Sequence, residues 1–407
     1  MRWAGIALII ASASPAHAAT GARPTFYRDV LPILQNRCQE CHRPGEMAPM
    51  SLVTYRETRP WAKAIREATR VHKMPPWFAD TCCGKFSNDR SLTETEIETL
   101  DAWASTGAAE GDAKDAPPSR EWPTGWNIGP KGGAPDQVVE MPRAFDVPAK
   151  GAVEYQYFAA PTGFREDRWI QAVEVQPGNR AVVHHVVVYI REPGSTWTGG
   201  PTKSDILTVY APGSSAEAWP PGIAKLVKAS SDLVFEIHYT PNGRRTTDRT
   251  RVGLVFAKSP PEKAVLTLQM GNDAFVIPPG EREYRVTVWG TLPNDALLLG
   301  FFPHMHLRGK AFEFTRIRDN GLPETLMKVS RYDFYWQLSY RLAAPLALKK
   351  GTRLEWVGWF DNSANNPRNP DPSAEVRYGQ QSWEEMMIGF FDVAVPAAIG
   401  KTDYFVR

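Results

Sequence analysis

The run Ala181-Val182-Val183-His184-His185-Val186-Val187-Val188-Tyr189-Ile190 is β-branched or aromatic almost throughout, apart from two adjacent histidines. Branched side chains are stiff at χ1 and pack well on a pleated surface, so the run reads as a strongly apolar strand. Comparable runs follow at Leu233–Tyr239, Arg251–Ala257, Tyr284–Trp289 and Arg353–Phe360, separated by Pro, Gly and Asn turns. Regular short strands with little helix predict sandwiches or jelly rolls. A stretch of about 260 residues is generous for one sandwich and comfortable for two. The break at Ser259-Pro260-Pro261-Glu262 divides it into residues 141–260 and 261–407.

The histidines in these strands set the question of function. Neighbours on a regular strand face opposite sides. His184 and His185 can therefore share one metal only at a bulge, at a strand end, or through different ring nitrogens; otherwise one is a buried core histidine and the other is exposed. A further histidine stands in Phe235-Glu236-Ile237-His238-Tyr239. In the second half, Phe302-Pro303-His304-Met305-His306 on a strand would place two imidazoles on one face, half of a metal site; on a loop they are two surface histidines. Trp383-Glu384-Glu385-Met386-Met387 adds thioethers, Met386 and Met387 being expected on opposite faces. Imidazoles with a thioether suit copper, because the soft sulfur favours Cu(I).

The chain has 407 residues, 43% apolar and 23% charged, with a formal charge of +2. That balance is ordinary for a globular protein and gives no reason to expect nucleic acid as a partner. Met1 to Ala18 reads as a secretory signal peptide: Arg2, a short apolar core from Ala4 to Ala11, and the cleavage pattern Ala16-His17-Ala18. No apolar run is long enough to span a bilayer. A periplasmic or secreted protein is expected. The 4 cysteines, Cys38, Cys41, Cys82 and Cys83, all precede the β region, which must fold without disulfides.

Residues 19–110 read as a small all-α domain. Cys38-Gln39-Glu40-Cys41-His42 is C-x-x-C-H, the attachment signature of a c-type haem. A zinc half-site would need a second ligand pair that Cys82-Cys83 supplies only awkwardly, and a redox dithiol would need a thioredoxin-like βαβ setting. Helices are predicted over Asp29–Asn36, Arg59–Val71 and Thr93–Thr106, the last with a Thr93/Glu96 capping box. Lys73-Met74-Pro75-Pro76-Trp77 resembles the distal-ligand loop of class I cytochromes c, which makes Met74 the expected second axial ligand to His42. Met47, Met50 and His72 are rivals. Such a pair suits electron transfer. Cys82 and Cys83 are expected as two thiols, because a bridge between adjacent residues is strained. Residues 111–140, rich in Gly and Pro, read as a linker, with Trp122 and Trp126 packing it against something.

In order, His-His, His-Tyr, His-x-His and Glu-Met across two β domains resemble the copper type II ascorbate-dependent monooxygenases, that is, the peptidylglycine α-hydroxylating and dopamine β-monooxygenases. The likeness covers roughly residues 140 to 400. Ile206 to Gly222, with Tyr-Ala-Pro-Gly and Pro-Pro-Gly, and His306-Leu307-Arg308-Gly309-Lys310 are similar to stretches of that family. The resemblance implies two copper ions: an electron-transfer copper on His184, His185 and His238, and an oxygen-activating copper on His304, His306 and Met386, with Met387 the alternative. It implies hydroxylation of a C–H bond by O2. Ascorbate reduces the animal enzymes, whereas here a covalent haem c on the same chain is the expected donor, itself served by an external reductant. In the peptide-amidating members an arginine that holds the substrate carboxylate lies two residues before His-x-His. Here that position is Phe302, so the organic substrate stays open. Glu236 stands where those members carry a neutral amide. The competing expectation is a non-catalytic electron-transfer or copper-binding and sensing protein with the same ligands.

Overall fold

The computed structural model describes residues 23–122, 125–128, 133–151, 153–197, 199–200 and 205–400. The expected signal peptide, Met1 to Ala18, lies outside the described residues. Strand accounts for 37% and helix for 12%, which makes β-sheet the framework, in keeping with β-sandwich domains. No helix among the described residues is long and apolar enough to cross a membrane.

The first β half is built on the strand Val183–Arg191, paired antiparallel with Asp232–Tyr239, which in turn pairs with Gln156–Pro161. Period-2 alternation sorts its side chains. Val186, Val188 and Ile190, with Phe235 and Ile237 from the neighbouring strand, face one core that also holds Ile170, Val173 and Leu254. Val187, Tyr189 and Val234 point the other way, into a separate apolar layer. The strand is buried on both faces.

The second β half repeats this logic. The strand Ala296–His304 pairs with Met387–Pro396, placing His304 opposite Ile388. Phe301, Met387 and Phe391 enter a core with Phe312, Phe314 and Trp356. Phe302, Met386, Ile388 and Phe390 take the opposite face and meet Val187, Tyr189 and Val234 of the first half. An apolar layer therefore lies between the two halves, made from the outward-facing residues of each. The halves also share a sheet. Ile223–Val227 pairs in parallel with Lys263–Asn272, through Lys263 to Ile223 and Ala264 to Ala224, continuing one sheet across the break at 259–262.

The regular elements described between Phe26 and Asp115 are helical, including Leu31–Arg37, Ala62–Arg70 and Glu94–Ser105. The Thr93/Glu96 capping box is present. A free-standing all-α cytochrome c domain is not evident, because the segment between the last two helices leaves the helical core. Trp77, 7% exposed, joins the core of the second β half. Its ring lies 4.9 Å from that of Tyr340 and 5.8 Å from that of Phe86. Main-chain bonds from Asp80 to Lys328 and from Ala343 to Lys85 fasten the same segment to the sheet. Cys82 and Cys83 are joined as a disulfide, which corrects the expectation of two thiols; the chain turns at these residues and brings both sulfurs to one side. In the expected linker, Trp122 lies under the guanidinium of Arg43 at 3.9 Å, and Trp126 packs on Arg251.

Candidate metal centres

The two-histidine problem on the first strand is solved by a bulge. Val183 pairs with Tyr239 and His185 with His238, so the register shifts and His184 is the extra residue. A bulge bends the strand and re-aims one side chain. His184, His185 and His238 each bring a ring nitrogen within 4.8 Å of the others. The Nδ1 atoms of His184 and His185 are 3.2 Å apart, and His238 Nδ1 is buried with no hydrogen-bond partner. His185 and His238 share the face of Val187 and Val234, so the cluster opens toward the second half.

His304 and His306 follow at the end of the strand Ala296–His304, with ring centroids 5.3 Å apart. His304 Nδ1 lies 2.7 Å from Gln337 Oε1, while its Nε2 is buried and unpartnered. His306 Nδ1 lies 3.3 Å from the Glu384 carbonyl. Met305 turns away between them and is held by Tyr332, whose hydroxyl accepts from its N–H and donates to its carbonyl. Met386, 1% exposed, lies on the face of Phe302 and Ile388, whereas Met387 is in the opposite core. Period-2 alternation separates the two thioethers as expected.

Burial is the main electrostatic effect throughout. It lowers His184 and His304 to about 4 and His306 to about 3. His238 is lowered by the same cause, and His185 is held well down by burial and then by His184, His238 and His304. These rings are neutral at pH 7 and present lone pairs. Burial raises Glu236 to about 7, although the Tyr157 and Tyr189 hydroxyls act in the other direction.

Several groups around these sites were not legible as such in the sequence. Tyr155 stacks on His238 at 5.1 Å and 25° and leans on His185 at 5.5 Å. Trp336 lies 5.7 Å from His184. Glu385 sits under His306 and Arg308. Tyr155 and Trp336 carry no motif, and Glu385 entered the sequence reading only as the acid of Glu-Met, without a role of its own.

The donor sets fit copper. Three neutral imidazoles with an orphaned buried nitrogen, and His304 on the face of a thioether with His306 just beyond the strand end, are soft-to-borderline ligands. Where each Nδ1 faces a carbonyl or amide oxygen, Nε2 is left for a metal, the usual outer-sphere arrangement. Cys38 and Cys41 are free thiols, and His42 Nδ1 lies 3.3 Å from the Met50 carbonyl. Met74 is half-buried in the turn after Ala62–Arg70. The motif lies against the first β half: a Cβ at Gly213 would fall 3.1 Å from Cys41 Sγ, and Arg90 donates to the Pro212 and Gly213 carbonyls.

No protein-family model matches the chain, and no curated protein matches it. A solved structure of the infectious bursal disease virus Gx strain is similar over 66% of this chain and 74% of that chain, at 6% identity and a TM-score of 0.20. A likeness of that size carries no argument about fold or function.

Proposed function

We propose that this chain is an exported copper-dependent monooxygenase of the kind its motifs resemble, hydroxylating a C–H bond with O2 and reduced through a c-type haem on the same chain. The observation that carries this reading is the bulge at His184. It turns two adjacent histidines toward His238, on the face that confronts the Met386 side of the second half. His184, His185 and His238 would hold the electron-transfer copper, and His304, His306 and Met386 the oxygen-side copper. Cys38, Cys41 and His42 would hold the haem, with Met74 as its second axial ligand. Bound copper supplies one-electron redox chemistry and O2 activation, and haem c supplies single electrons.

The rest is the work of the protein's own side chains. Buried, neutral imidazoles offer lone pairs without first releasing a proton. Phe302, Ile388, Phe390 and Tyr189 keep water from the Met386 side. Phe302 offers no charge to a substrate carboxylate, so an uncharged, apolar C–H compound suits this face better than a carboxylate-ended peptide.

Metal and haem analysis of the mature chain tests the reading, with two copper and one haem expected per chain. The copper-loaded, reduced protein should consume O2 and release peroxide, and Met386→Ala should lose that reactivity. The alternative is a non-catalytic haem and copper electron-transfer or copper-sensing protein. It is favoured by the depth at which Met386 is packed, 1% exposed. Equal O2 uptake by wild type and Met386→Ala would decide for it. Rapid mixing of reduced haem with oxidised copper sites should show intramolecular haem oxidation; a haem that stays reduced would remove its proposed role.

A further inference from the structure

We infer that Gln337 is a positioning residue for the His304 site. The inference rests on reading both sites as metal centres. Gln337 is 5% exposed and comes from the loop Asp333–Leu338 of the second β half. A neutral imidazole carries one N–H, and which nitrogen holds it is set by the partner of the other. With Gln337 Oε1 2.7 Å from His304 Nδ1, the proton belongs on Nδ1. That leaves Nε2, buried and unpartnered, as the lone pair.

Tyr155 lies beside the Gln337 amide, which acts to lower its phenol against the rise caused by burial, and the Tyr155 ring stacks on His238 and leans on His185. The amide that faces His304 in one β half thus stands next to the ring that packs on two histidines of the other. The same loop presses Tyr335 and Trp336 against His184, with ring centroids 6.4 and 5.7 Å away. An amide that only filled a polar gap would not need its oxygen on a candidate ligand. Nor would it matter which end was which. Here the acceptor end is the one that frees Nε2.

The test uses the full chain and Cu(II) titrated against a competing chelator. Outer-sphere partners of metal-bound histidines are worth roughly 10- to 100-fold in affinity. Gln337→Leu should weaken one of two copper sites by that factor and leave the other unchanged. Gln337→Glu, which keeps an acceptor at Nδ1, should restore it. Nitrogen-15 histidine spectra of the metal-free protein should show the His304 ring held as the Nδ1–H tautomer in wild type and released in Gln337→Leu. Two copper ions bound as in wild type by Gln337→Leu, with that tautomer unchanged, would overturn the inference and leave the two-metal reading standing. An equal loss at both sites would also overturn it. Uptake of a single copper by wild type would overturn both.

Discussion

The carboxylate of Glu385 accepts from the backbone N–H of His306 at 2.8 Å. It also accepts from Arg308 at 2.6 Å and from the N–H of Met386 at 3.3 Å. One buried acid therefore holds the backbone on both sides of the candidate second site, His-x-His on one and the thioether on the other. Burial pushes Glu385 up to about 8, although the three N–H groups act against it. Glu385→Ala would leave these donors without a partner in an enclosed place, where each unsatisfied group costs about 1–3 kcal/mol. The expected loss is about 3 kcal/mol or more in urea unfolding, together with loss of one copper. An unchanged unfolding midpoint would refute it.

Met386 and Met387 should behave differently although they are adjacent. Met387 is fully buried in the core with Phe312 and Trp356, so Met387→Ala should cost about 2–5 kcal/mol, the usual range for a cavity of that size. Met386→Ala should also cost stability, but it should in addition weaken Cu(I) far more than Cu(II), since a thioether prefers the softer ion. Comparable Cu(I) affinities in the two variants would contradict the assignment of faces.

The metal-free protein should lose stability as pH falls from about 6.5 to about 4. His184 and His304 are lowered from 6.5 to about 4 by burial. Across that window the unfolded chain takes up protons that the folded chain does not, so unfolding is favoured as the solution becomes more acid. The contribution is fully present above pH 6.5 and is lost on the way down to pH 4. Urea midpoints at pH 7 and pH 4.5 measure the effect. His184→Ala and His304→Ala should each flatten the curve, and parallel curves for wild type and variants would rule the explanation out.

Trp77 should prove to be a fastening between the helical segment and the second β half. It lies against Tyr340 and Phe86 and belongs to the β core. Trp77→Ala should cost about 3–5 kcal/mol. It should also expose the stretch containing Asp80 and Lys85 to proteolysis, because their bonds to Lys328 and Ala343 run beside it. Cleavage there at the wild-type rate would count against the fastening.

Much of the site was legible because β structure has a simple local rule. Side chains alternate, so Phe302 and His304 had to share a face, Met386 and Met387 had to part, and His184 and His185 could act together only at a bulge. The apolar character of Val182 to Ile190 required burial. The residue types, imidazole with thioether and C-x-x-C-H, set the chemistry to be tested.

What the sequence left open is what depends on contacts between distant segments. The bulge arises from the pairing of Val183–Arg191 with Asp232–Tyr239, and its place is set by the register of two strands, not by either alone. The meeting of the two outward faces, the joining of both halves into one sheet at Ala224 and Ala264, and the departure of Trp77 from the helical segment are of the same kind. Gln337, Tyr155 and Glu385 lie outside the regular strands or at the edge of one, in stretches without periodicity. Their roles come from what they touch across the chain, and only the tertiary structure brings those partners within hydrogen-bonding distance.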